Sequence, residues 1–313
     1  MATVIVSASV EGPILVCDEG LSVWGGVHPQ SSRIIDAHHP QHGQSLAGRI
    51  VMMPTSRGSC TGSGVLLGLA FAGTAPRALI FRESEDILTL GALVAGRLFD
   101  HDIAVLRLTA EEYDALAREP VAEITATHLR AGDHLWPLAP AGAGALELSA
   151  ADRAMLAGEA GEAAQLAMEI IVTMATAQRA PRLTDVSRVH IDGCIYASPA
   201  FLTFARAMAD KGARVRVPTT MNAISVDHAN WRKQGVDPAF GAGAAGLADA
   251  YVEMGARPSF TCAPYLLEDR PAAGEDIAWA ESNAVIYANS VLGARTVKHA
   301  DFMDLCIALT GRT

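Results

Sequence analysis

Between Gly48 and Leu108 apolar runs and helical patterns take turns, and this alternation limits the possible folds more than any other feature of the chain. GRIVMMP (Gly48 to Pro54), RALIFRE (Arg77 to Glu83) and DIAVLRL (Asp102 to Leu108) read as short buried strands. A helix beginning near Val65 and the amphipathic DILTLGALVAGRLFD lie between them. TAEEYDALARE follows, with Thr109 as N-cap and Glu112 at the capping-box position. Such alternation predicts an α/β unit. Thr3 to Val10 and Pro13 to Cys17 read as two further strands around an Glu-Gly-Pro turn, and Val121 to Leu138 as a last strand and turn. APAGAGA, Ala139 to Ala145, is a linker by composition. It predicts domains over 1–138 and 146–313.

Beyond the linker, Ser149 caps an Ala-rich helical run to Ala180 that breaks near Gly161. Val186 to Tyr196 reads as a strand with a polar end, and Pro199 to Gly212 as a helix. ARVRVPTTMNAISVD opens with a strand, PSFTCAPYLL reads as strand and turn, and DFMDLCIALTG is a helix ending at Gly311. PAFGAGAAGLADAYVEMG reads as a glycine-rich loop leading into a helix. Its GAGAAG matches a dinucleotide fingerprint by letters. No clean strand precedes it and no acidic residue ends a following strand, so a dinucleotide site is not expected.

Half of the 313 residues are apolar and 19% are charged, which allows a large core. The net charge of −10, without any Lys/Arg block, argues against nucleic acid and anionic membranes as partners. No apolar run reaches membrane-spanning length. The start, MATVIVSASVEGPILV, lacks a positive region and is interrupted by Glu11, so it reads as strand and not as a signal peptide. Five scattered cysteines suit a reducing cytoplasm. Leu21 to Ser45 holds His28, His38, His39 and His42 without helical spacing, which predicts a loop packed by hydrogen-bonded His in preference to a metal site.

The loop RGSCTGSG, Arg57 to Gly64, joins a strand to a helix. Strand, small polar loop and helix aim backbone N–H groups at an anion, although no Lys follows as in a phosphate loop. In the second unit Thr219, Thr220, Asn222, Cys262, Tyr265, Asn283, Asn289, Ser290 and Arg295 can converge. Asn, Ser and Arg on loops at strand ends suit a carboxylate or phosphate ligand, with Arg295 as a bidentate clamp. Cys262, in a turn before Ala263-Pro264, suits a nucleophile or an iron–sulfur ligand. Cys17 and Cys194 read as small buried hydrophobes.

LSVWGGVHP, RIIDAHHPQHGQSLAG and RGSCTGSGVLL resemble the swivelling small domain of the aconitase X family. HIDGCIY, VPTTMNAISVD, FTCAPYL and ESNAVIYANSVLGART resemble its large domain. The resemblance covers nearly the whole chain. It implies a small swivelling β/α domain followed by an aconitase-like α/β/α domain, and a hydro-lyase with an iron–sulfur cluster. In the family's fused bacterial type the substrate is cis-3-hydroxy-L-proline; in the archaeal two-subunit type it is mevalonate 5-phosphate. The order here, small domain first in one chain, is that of the bacterial type. The family's large domain continues beyond the equivalent of Thr313. This implies a C-terminally incomplete domain, a second chain that supplies the rest, or a truncated module that turns nothing over.

By this resemblance Ser63 or Ser59 is the proton-transfer group and Cys60 the alternative. Arg57, Gly62, Thr220, Asn222, Asn283, Ser290 and Arg295 bind substrate, and Cys262 and then Cys306 bind iron. The two sets lie in different domains, so the site is expected in the cleft between them.

Overall fold

A computed structural model describes residues 1–142 and 146–313. The last three residues of the expected linker, 143–145, lie outside the described residues. The chain divides into two compact units. One is Met1–Ala145 with Thr176–Arg179, and the other is Leu146–Ala175 with Ala180–Thr313.

The first unit is built on a nine-stranded mixed sheet. Its elements in chain order are β1 (Thr3–Val6), β2 (Val10–Val16), a single distorted turn α1 (Val23–Gly26), β3 (Ile50–Met53), α2 (Gly62–Phe71), β4 (Ala78–Phe81), α3 (Ile87–Phe99), β5 (Ala104–Arg107), α4 (Ala110–Leu116), β6 (Val121–Ile124), β7 (His128–Ala131), β8 (His134–Pro137) and β9 (Ala139–Pro140). The strand order is β8-β7-β6-β2-β3-β4-β5-β1-β9. The centre, β2-β3-β4-β5, is parallel, as crossover helices require. β3 and β4 are buried at every residue, which is why IVMM and ALIF are unbroken apolar runs.

Several local expectations change. Glu11-Gly12-Pro13 is no turn. It lies inside β2, whose first half pairs antiparallel with β6. Val121 to Leu138 makes three antiparallel strands, not one. Within the linker, Ala139–Pro140 is a short strand parallel to β1, so this part is tied to the sheet. The predicted cap of α4 is present: Thr109 and Glu112 form a capping box.

The second unit runs α5 (Ala150–Leu156), α6 (Glu162–Ala177), β10 (Val189–Ile191), α7 (Pro199–Asp210), β11 (Thr219–Met221), α8 (Pro238–Glu253), β12 (Ala278–Trp279), α9 (Ser282–Tyr287) and α10 (Met303–Thr310). Its three strands are parallel in the order β11-β10-β12. The strand expected over Val186 to Tyr196 shrinks to three residues. PSFTCAPYLL has no strand, only a 3-10 turn at Pro264–Leu266.

The GAGAAG segment is not a loop. It lies inside α8, which starts at Pro238 with Asp237 as N-cap. Its glycines are packing positions: a Cβ at Gly241 would sit 2.1 Å from the Trp231 ring, and one at Gly243 2.3 Å from the Tyr196 ring. A helix interior offers no free N–H groups to a pyrophosphate, so the fingerprint carries no dinucleotide site.

Candidate active site

In the first unit β3 delivers the chain into Arg57–Gly64. Gly58 has φ +96°, and a Cβ there would meet Ser22 Oγ at 2.3 Å, so only glycine makes this bend. The helix begins at Gly62, three residues earlier than expected, so Gly62, Ser63 and Gly64 form its first turn. Ser63 is fully buried, and its Oγ donates to the Cys60 carbonyl at 3.0 Å. α3 comes close here, since a Cβ at Gly91 would lie 2.6 Å from the Ser63 carbonyl oxygen. Ser59 is half-buried; its Oγ donates to Thr61 Oγ1 and accepts from Thr61 N. Cys60 is buried.

The loop's backbone donors are spent locally. Thr61 N bonds Ser59 Oγ, Gly62 N bonds the Ser59 carbonyl and Ser63 N bonds the Cys60 carbonyl. An array of free N–H groups, as the loop pattern suggested, is not what these three residues offer. Arg57 is held by two carboxylates, Asp36 at 3.1 Å and Glu19 at 3.3 Å. The histidine loop beside it is packed by hydrogen bonds. The Nδ1 atoms of His28 and His39 accept backbone N–H groups, and His42 Nδ1 bonds the Asp36 carbonyl.

In the second unit polar side chains gather at the carboxyl ends of the three parallel strands, where open α/β sheets take their ligands. Asp192 directly follows β10, Asn222 directly follows β11, and Glu281 comes two residues after β12. Asn222 is 2% exposed, and its Nδ2 donates to Asp192 Oδ1 and, at 2.9 Å, to Glu281 Oε2. Its Oδ1 accepts from Ala223 N at 2.7 Å. One amide thus ties together the ends of all three strands. From α10, Asp304 is fully buried, and its Oδ2 accepts from Asp192 N at 2.7 Å and Gly193 N at 3.2 Å. Burial outweighs these donors and pushes its carboxyl up to about 6. Thr220 Oγ1 bonds His190 Nδ1 at 2.8 Å, and burial pushes this histidine down to about 4.

The other expected residues stand apart from this cluster. Asn283 and Ser290 are exposed. Arg295 is also exposed and already makes a bidentate pair with Asp276, at 2.7 and 2.8 Å. A cavity of about 350 Å³ opens beside the amino-terminal ends of β10 and β11; its Arg188 pairs with Glu275 and its Arg257 with Asp269.

An iron–sulfur cluster needs several thiolates around one point. Among the described residues neither Cys262 nor Cys306 belongs to a group of three His, Cys, Asp or Glu side chains close enough to share an ion. Cys262 is exposed, whereas Cys306 is enclosed on α10. Burial and then Asp304 push the Cys306 thiol well up. These two cysteines do not complete a cluster site by themselves, and no chemical step here is routed through one.

Asp192, Glu281 and Asp304 were not singled out from sequence. Their signal was a carboxylate one or two residues after an apolar strand, as in HIDG and WAES, or inside a buried helix.

Comparison with known proteins follows the same division. The family model described as "Aconitase X swivel domain" matches residues 1–130, and "Aconitase X first domain" matches residues 145–313. The chain is 55% identical to a cis-3-hydroxy-L-proline dehydratase of Pseudomonas aeruginosa over 98% of its own length and 54% of the relative's. It is 48% identical to a protein of the same name from Hypocrea jecorina, over 99% of its length and 54% of the relative's. It is 36% identical to the phosphomevalonate dehydratase large subunit of Methanothermobacter thermautotrophicus, over 55% of its length and 44% of the relative's. The chain therefore spans about half the length of the two dehydratases that match it from end to end.

Proposed function

The chain belongs to the aconitase X family, and from that premise we propose that it dehydrates cis-3-hydroxy-L-proline to pyrroline-2-carboxylate. The observation that carries this is 55% identity to a dehydratase of that name across both units. The reaction removes the Cα proton, expels the C3 hydroxyl as water and leaves an enamine, which tautomerises to the cyclic imine. Cα is a weak acid, so the carboxylate must be held by donors that stabilise enolate-like charge. Hydroxide is a poor leaving group and needs a proton or a Lewis acid.

Ser63 is the proposed base. It sits in the first turn of α2, where the positive end of the helix favours an oxyanion. Ser59 and Cys60 are its alternatives. Thr220 is a candidate for holding the substrate, together with the exposed Asn283 and Ser290, whereas the Gly62 N–H is already given to the Ser59 carbonyl. Asn222 is better suited to positioning, because both amide protons are engaged. The same holds for Arg57 and Arg295, whose guanidinium groups are matched to carboxylates. That commitment also disfavours mevalonate 5-phosphate, since a phosphate dianion asks for uncommitted cations.

Of the two expected iron ligands, exposed Cys262 is the one a cluster can reach, with thiolates from elsewhere completing it. A second polypeptide supplying a further part of the family's large domain belongs to the proposal, as does a cytoplasmic setting. Among the described residues no helix is long and apolar enough to cross a membrane.

The test is anaerobic incubation of the purified protein with cis-3-hydroxy-L-proline and, separately, mevalonate 5-phosphate, followed by proton NMR. The imine should form from the first, and the second should be unchanged. Turnover of the phosphate alone would favour the rival substrate, and turnover of neither would leave a non-catalytic module. Iron analysis accompanies it: Cys262→Ala should lose iron and Cys17→Ala should not.

A further inference from the structure

We propose that Glu281 is the second proton-transfer group of this dehydration, delivering a proton to the departing C3 hydroxyl, with Asn222 and Asp192 as its positioning residues. This rests on the reading of the chain as a dehydratase of cis-3-hydroxy-L-proline. The stereochemistry of that substrate requires two groups. Its hydroxyl is cis to the carboxylate, so the Cα hydrogen lies on the opposite face of the ring. A base that takes this hydrogen cannot also protonate the hydroxyl, and the second group must approach from the other face.

Glu281 has the placement for that role. It stands at the carboxyl end of β12, beside the ends of β10 and β11. It occupies the N-cap position of α9, and its side chain makes no capping bond there. Instead Oε2 is fixed by Asn222 Nδ2. Among the described residues Oε1 has no hydrogen-bond partner, and the residue is only half-buried. One oxygen is therefore anchored while the other makes no hydrogen bond among the described residues. The anchor is itself rigid, because Asn222 also grips Asp192, and Asp304 holds the Asp192 and Gly193 amides.

The step balances. The base gains the Cα proton, and that C–H electron pair becomes the C2=C3 double bond as the C3–O bond breaks. The departing oxygen takes the proton from Glu281 and leaves as water. Glu281 regains a proton from solvent, and the base releases one.

The test compares the purified wild-type chain with Glu281→Gln, whose amide oxygen can still accept from Asn222. Dehydration should fall by at least about a hundred-fold, in the range for losing a positioned acid. Elimination of fluoride from cis-3-fluoro-L-proline, a leaving group that departs without protonation, should stay within a few-fold of wild type. Wild-type dehydration by the variant, or equal loss of both reactions, would overturn the assignment. A second measurement does not need turnover. In protein labelled with carbon-13 at the Glu carboxyls, the signal missing from Glu281→Gln should move when pyrrole-2-carboxylate is added to wild type. An unmoved signal overturns the role of Glu281 whatever the turnover. A moved signal with no turnover of hydroxyproline shows instead that the substrate reading has failed.

Discussion

At the scale of single residues, two buried titratable groups of the second unit pull stability in opposite directions over one pH window. Asp304 is raised to about 6 by burial, so the folded state holds a proton that the unfolded chain has released. Its contribution is complete below about pH 4 and is lost as pH rises through about 6. His190 is lowered to about 4, so its contribution is present above about pH 6.5 and is lost as pH falls through about 4. Each is worth ~3 kcal/mol at most on the scale of 1.36 kcal/mol per pH unit. Urea midpoints between pH 4 and 6.5 should therefore rise more steeply in Asp304→Asn than in wild type, and less steeply in His190→Gln. Parallel curves for the three proteins would mean that neither group titrates as its burial demands. Ser63→Ala should lower hydroxyproline dehydration by roughly a hundred-fold or more. Wild-type turnover in that variant would hand the role to Ser59 or Cys60. The sequence drew attention to residues with distinctive chemistry, such as Ser63 and Asn222. Asp192 and Glu281 did not stand out, because a carboxylate after a strand looks the same whether it is solvated or gripped by an amide. Arg295 carried the reverse ambiguity, since its partner Asp276 lies 19 residues away, and no local pattern announces the pair.

At the scale of elements, the alternating pattern from Gly48 to Leu108 was legible because β3, β4 and β5 are buried on both faces and separated by helices. Capping chemistry was legible for the same local reason. Thr109→Ala should cost about 1 kcal/mol in a urea titration, and an unchanged midpoint would show that the capping box adds nothing. The misjudged elements are those whose form depends on distant partners. Glu11-Gly12-Pro13 looks like a turn, yet it stays extended because β6 pairs with it from more than 100 residues away. The glycines of PAFGAGAAG look like a loop until Trp231 and Tyr196 are seen filling the space where their side chains would be. Gly241→Ala should accordingly destabilise by about 1–3 kcal/mol, the usual cost of overpacking. A variant as stable as wild type would mean that the Trp231 ring has room to move. Addition of NAD should shift the melting temperature of neither protein.

For the whole molecule, the division into two units separates the groups the reaction needs. Ser59, Cys60 and Ser63 belong to the first unit; Asn222, Glu281 and Cys262 belong to the second. Neither set by itself offers a base, an acid on the opposite ring face and donors for the carboxylate. Each unit alone therefore lacks a complete set, and the proposal is that both act on one substrate. The consequence is measurable without any assumption about how the units are arranged. Pyrrole-2-carboxylate is a flat, unreactive mimic of the enamine. Added to the purified protein, it should slow amide hydrogen exchange at residues 57–64 and at residues 192–193 and 222–223 together, with one concentration dependence for both segments. Protection confined to the second unit would place the whole ligand at the strand ends and remove Ser63 from the mechanism. Protection confined to the first unit would remove Glu281 in the same way. Protection of both, lost from both in Asn222→Ala, would tie the two segments to a single binding event.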